Sequence, residues 1–150
     1  MMSKDLIQFI VAFFSSFGFA ILFSAPKKEL IYCGFTGGLG WFIYCIMLRL
    51  DIHFVAACLV ATMFLTVFAR AFAVLRKSPV TLYLLCGIFP LVPGAGIYYT
   101  AYYLFTGNQA MFAAKGMETF ETAAGIVFGI IFGFALPQKL FSKLSRLSKN

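Results

Sequence analysis

Charge is scarce in this chain: only 11% of its 150 residues are Asp, Glu, Lys or Arg, and just five are acidic. Soluble domains carry about a quarter, so a water-facing shell around an ordinary core is excluded. Histidine and tryptophan occur once each. His53 has no second His or carboxylate at metal-ligand or triad spacing, so the sequence offers neither a metal centre nor a nucleophile–base pair, and no enzyme activity is expected. Cys33, Cys45, Cys58 and Cys86 are scattered without a C-x-x-C pair, which suits packing residues better than disulfides or ligands. A G-x-x-x-x-G-K-[ST] phosphate loop is also missing, which leaves nothing to use nucleotide. No cofactor is expected.

What is present is hydrocarbon. Hydrophobic residues make up 62% of the chain, including 20 Phe. Apolar runs fall at 6–23, 30–48, 52–75, 80–105 and 118–136, each close to or above the roughly 20 residues that cross a bilayer. The pattern predicts an all-α, polytopic integral membrane protein with five transmembrane helices in a domain over 1–138, a connecting loop over 106–117, and a basic amphipathic tail over 139–150. No room remains for a soluble domain. The first run is read as a retained helix, because Pro26 follows the cleavage-like Phe23-Ser24-Ala25.

The net charge of +7 has two readings. A nucleic-acid surface would need a basic stripe with exposed aromatics, and the basic residues instead sit almost entirely between or after the apolar runs. Lys27, Lys28, Arg76, Lys77, Lys139, Lys143, Arg146 and Lys149 fall on one side of the expected topology, against Lys4, Arg49 and Lys115 on the other. By the positive-inside rule this places the N-terminus outside and the C-terminus in the cytoplasm, in the cytoplasmic membrane. The tail, with Leu140, Phe141, Leu144 and Leu147 on one side, should lie along the lipid bilayer surface.

One stretch departs from plain hydrocarbon: C-G-I-F-P-L-V-P-G-A-G-I-Y-Y-T, from Cys86 to Thr100. Pro90 and Pro93 lack the N–H a helix needs, and Gly94 and Gly96 let backbone come close. The fourth run should therefore break into two half-helices. Polar backbone freed at membrane depth persists only where protein or water surrounds it, and the N–H groups opening the second half-helix suit an anion such as a carboxylate. Tyr98 and Thr100 follow the break closely enough to join such a site.

Other residues carry two readings. Arg70, in F-A-R-A-F-A, sits about 9 Å deeper than Arg76 at 1.5 Å per residue; it is either a snorkelling anchor or a substrate or gating residue. Gly34, Gly37, Gly38 and Gly40 form a groove for helix packing, or, with Thr36, bare backbone along a pathway. Glu118 and Glu121 open the last run, where they either complement the helix dipole or, Glu121 above all, carry a proton or pair with a substrate amine. Gly125, Gly129 and Gly133 make a ridge for close helix contact. The Phe-rich first run reads as a peripheral, lipid-facing helix.

Taken together, G-F-T-G-G-L-G-W at Gly34–Trp41, Ala69-Arg70, Ser78-Pro79 and P-L-V-P-G at Pro90–Gly94 followed by Tyr98 resemble the threonine/serine exporter family, and within it the shorter component of split, two-gene members. The resemblance implies a five-span half-transporter that works with a larger homologous membrane subunit. The pair would export small carboxylate-bearing metabolites: threonine- or serine-type amino acids, or a dicarboxylate such as succinate. In that picture Arg70 and the amides around Gly94 and Gly96 hold the carboxylate, Tyr98 gates or hydrogen-bonds the substrate, and Glu121 moves protons. An odd number of spans would let a related half enter inverted; a homo-oligomer is compatible with the same pattern. The competing class is a non-transporting scaffold that only stabilises its partner.

Overall fold

In the computed structural model, which describes residues 2–138 and 141, all regular structure is helical. Helix α1 (Met2–Leu22) is joined by a 3-10 turn at Lys27–Glu29 to α2 (Leu30–Arg49); α3 (Phe54–Arg76) and α4 (Val80–Ile88) follow. A second 3-10 turn, Phe89–Leu91, leads into α5 (Gly94–Phe105), and α6 (Gln109–Ala135) completes the described chain. Among the described residues three helices are long and apolar enough to cross a membrane: Lys27–Arg49, Phe54–Arg76 and Gln109–Ala135. The pair Val80–Leu91 and Gly94–Phe105, bent by 56°, makes a fourth if it crosses as one broken span, and Leu6–Leu22 is a shorter apolar helix. The amphipathic tail expected over 139–150 lies outside the described residues, apart from Phe141.

Without water to drive apolar faces together, helices in lipid associate through close packing, and glycine supplies it here. A Cβ on Gly34 would come within 2.8 Å of the Phe13 ring, one on Gly38 within 2.9 Å of Phe9, and one on Gly37 would strike Ser16. The Phe-rich helix α1 keeps a broad exposed face, with Leu6, Ile7, Val11, Phe14 and Leu22 each more than half exposed, while Phe9, Phe13 and Ser16 on its inner side fill the α2 groove. Gly40 receives Leu65 of α3, and Gly87 of α4 receives Thr36. On α6, Gly125, Gly129 and Gly133 lie against the α3 backbone and threonines, with Cβ positions 2.9 Å from the Val55 carbonyl, 2.5 Å from Leu59 and 2.5 Å from Thr66. Thr62 and Thr66 are fully buried there, and their hydroxyls donate to the carbonyls of Cys58 and Thr62 one turn back.

A polar cluster ties one end of the bundle. The carboxylate of Glu29, 1% exposed, accepts two hydrogen bonds of 3.1 Å from Arg76 and one of 2.7 Å from the Tyr83 hydroxyl. The Arg76 guanidinium also lies 4.6 Å from the centre of the Tyr32 ring. One buried acid, its charge and hydrogen bonds met together, so joins α2, α3 and α4.

The expected loop over 106–117 is corrected. Only Thr106, Gly107 and Asn108 separate α5 from α6: Gly107 takes φ +75°, and the Asn108 side chain caps α6 by accepting from the Met111 N–H. This cap starts the helix nine residues before Glu118, so α6 extends about 40 Å, past the ~30 Å of hydrocarbon. No acid lies in its first turn, which removes the dipole reading of Glu118 and Glu121.

Candidate functional site at the helix break

The break begins where Pro90 enters the 3-10 turn and withholds its N–H. Pro93 then takes φ −75°, ψ 58° as the residue before α5. The Gly94 N–H turns back to the Val92 carbonyl at 2.7 Å, and the first helical bond of α5 runs from the Ile97 N–H to the Pro93 carbonyl at 3.0 Å. The Ala95 and Gly96 amides therefore stand in the opening turn without an acceptor inside the helix, and no side chain caps them. Gly96 is pressed against Thr119 of α6, leaving no space for a Cβ, whereas Gly94 has nothing within 4 Å.

These residues form one wall of a cleft of about 410 Å³, within the range of roughly 300–1,000 Å³ usual for small-molecule sites. Pro90 through Gly96 line it along the break, with Trp41 and Tyr44 from α2, Phe54 and Cys58 from α3, and Glu118, Thr119 and Thr122 from α6. The acid is paired: Lys115 Nζ donates to Glu118 Oε2 at 2.7 Å. A carboxylate and the positive end of a half-helix thus line one partly apolar space, so the cleft offers charge of both signs to a small solute.

The structure brings Pro90, Pro93, Gly94, Gly96 and Glu118 together and places the other sequence candidates elsewhere. Arg70 lies about 18 Å further along α3 than Cys58. Its guanidinium donates to the carbonyls of Gly133 at 2.8 Å, Phe134 at 3.4 Å and Leu136 at 2.9 Å, and it rests 4.4 Å from the Phe141 ring. It caps the C-terminal end of α6. Gly37 and Gly38 are buried against α1. Tyr98 is 63% exposed and stacked beside Tyr102, on a helix none of whose residues is buried. Thr100 donates to the Gly96 carbonyl at 2.7 Å and lines a separate apolar groove between α5 and α6. Glu121 faces another cleft, shared with His53, Val55 and Leu59.

Trp41, Tyr44, Phe54, Cys58, Thr119 and Thr122 are the lining residues that sequence reasoning passed over. A signal existed for two of them: Glu118 and Thr122 are four apart and share a helix face, and Trp41 closes the glycine-rich run. None of the four cysteines is in a disulfide, and Cys33, Cys58 and Cys86 are buried.

Comparison with known proteins gives this geometry a setting. The family model described as "Threonine/Serine exporter, ThrE" matches residues 8–136. An uncharacterized protein of Haemophilus influenzae is 26% identical over 145 residues, covering 93% of this chain and 48% of that relative. The chain therefore spans about half the length of the curated relative it matches. No solved structure matches.

Proposed function

The chain belongs to the threonine/serine exporter family, and we propose that it is one half of a secondary exporter whose solute site is the cleft at the break. The family is one of transporters rather than enzymes, and several long apolar helices make this a multi-pass membrane protein. In the proposed arrangement the chain crosses five times, with the bent pair as one span and α1 as another, N-terminus outside and C-terminus in the cytoplasm of a cell bounded by its inner membrane. A larger homologous subunit supplies the second half. The exposure of α5, which has no buried residue and stands ready to be covered, supports this.

The observation that carries the reading is the pairing of two uncapped amides with an acid in one cleft. A zwitterionic amino acid fits both: its carboxylate meets the Ala95 and Gly96 amides at the positive end of α5, and its ammonium meets Glu118, sharing that acid with Lys115. The Thr119 and Thr122 side chains line the same wall, within reach of a hydroxylated side chain such as threonine's. A dicarboxylate would set its second charge against Glu118, so the cleft favours amino acids over succinate. Glu121, in its separate cleft, is retained as the proton carrier.

The test is export by the chain with its partner subunit in cells or proteoliposomes. Replacing Pro93-Gly94 with Leu-Leu should leave assembly intact and abolish export; unimpaired export would instead mark the chain as a scaffold. Glu118→Gln should weaken amino-acid transport about 10- to 100-fold, the loss of one charge-assisted hydrogen bond, while easing inhibition by succinate. Equal effects on both solutes would remove Glu118 from recognition. For Glu121→Gln, a pH profile of export identical to wild type would exclude it from coupling.

A further inference from the structure

A second cleft, of about 480 Å³, lies against the first and is lined by Ile7, Gln8, Val11, Ala12 and Ser15 of α1 together with Trp41 and Pro90. Trp41 and Pro90 line both spaces, so the wall between them contains one indole and one pyrrolidine ring. Pro90 is held in the main chain of the break. Trp41 is held by its side chain: the indole Nε1–H donates to Gln8 Oε1 at 2.7 Å, and its ring centre lies 5.2 Å from that of Tyr44. Gln8 Oε1 also accepts from the Cys45 thiol at 3.6 Å. Gln8 itself is exposed and Trp41 only half-buried, so rotation of the indole does not require the tight packing of the bundle to open.

Resting on the cleft at the break as the solute site, we propose that Trp41 is the gate between the two clefts and Gln8 its latch. With the bond made, the indole closes the passage; when the Gln8 amide is drawn to a solute's polar group, the ring is released and the two spaces join. The residue types suit the cargo. The indole face can accept an ammonium as it passes, and the amide of Gln8 can donate to a carboxylate or accept from a hydroxyl.

Trp41 is the sole tryptophan of the sequence, so its fluorescence reports on the gate directly. In the full chain in nanodiscs, Gln8→Ala should raise quenching of that emission by aqueous acrylamide about fivefold, the population change expected from losing one hydrogen bond, with helix content unchanged. Identical quenching in wild type and Gln8→Ala would overturn the latch, whether or not a solute is bound. In proteoliposomes with the partner subunit, Trp41→Ala should let radiolabelled threonine leak without saturation, while Trp41→Phe, which keeps a ring but loses the N–H that Gln8 holds, should leak less than Trp41→Ala and about as much as Gln8→Ala. Saturable, unaltered transport by Trp41→Ala would overturn the gate; if Pro93-Gly94→Leu-Leu still abolished export, the solute site would stand without it.

Discussion

Arg70 shows how far a single side chain can be from what its neighbourhood in sequence suggests. Its depth in an apolar run left an anchor and a pathway residue equally open, and the deciding partners are carbonyls more than 60 residues later, at Gly133, Phe134 and Leu136. The last carbonyls of a helix have no acceptor role left inside it and must be met by something else in lipid. Arg70→Leu is expected to lower stability by about 2 kcal/mol, the scale of hydrogen bonds to a charged group, read as a lower melting temperature in detergent. Arg70→Lys should recover part of the loss, and export per folded molecule should change little. A cleft residue would behave oppositely, with normal melting and lost transport. The residues of the break were legible for the converse reason: proline and glycine act on their own backbone, so Pro90, Pro93 and Gly94 announce a discontinuity wherever the chain places them.

At the scale of helices, glycine spacing foretold that surfaces would approach closely but not which ones. Gly125, Gly129 and Gly133 repeat every four residues and so form one ridge; that the ridge lies on α3, and that α1 fills the groove of α2, depends on facing side chains that spacing does not encode. Two alanine substitutions separate packing from propensity. At Gly129 a Cβ would sit 2.5 Å from the Leu59 carbonyl oxygen, which is backbone and cannot swing aside, so Gly129→Ala should destabilise by about 1–3 kcal/mol through overpacking. At Gly18 nothing lies within 4 Å, and Gly18→Ala should stabilise α1 by up to about 1 kcal/mol. Thermal unfolding followed by circular dichroism reads both signs in one experiment. The start of α6 was misplaced because polar residues such as Asn108 and Gln109 look like loop, whereas the Asn108 cap makes them the opening of a helix.

For the whole molecule, the ends of the bundle are built differently. At one end Glu29, Arg76 and Tyr83 bind α2, α3 and α4 through a fully satisfied buried carboxylate; towards the other, the broken pair leaves a cleft beside Glu118. Removing Arg76 would leave Glu29 buried without its counter-charge, so Arg76→Leu should lower the melting temperature more than Tyr83→Phe, which removes one hydrogen bond; equal shifts would show that the charge is met some other way. The sequence by itself determined the solvent, the helical class and the place of the discontinuity, because each follows from composition or from backbone chemistry carried by single residues. It could not decide that Glu118 rather than Glu121 shares the cleft with the α5 amides, that Arg70 serves the end of α6, or that Trp41 stands between two spaces. Those are facts about residues distant in the chain, fixed when close-packed helices settle into one register and turn particular faces toward one another.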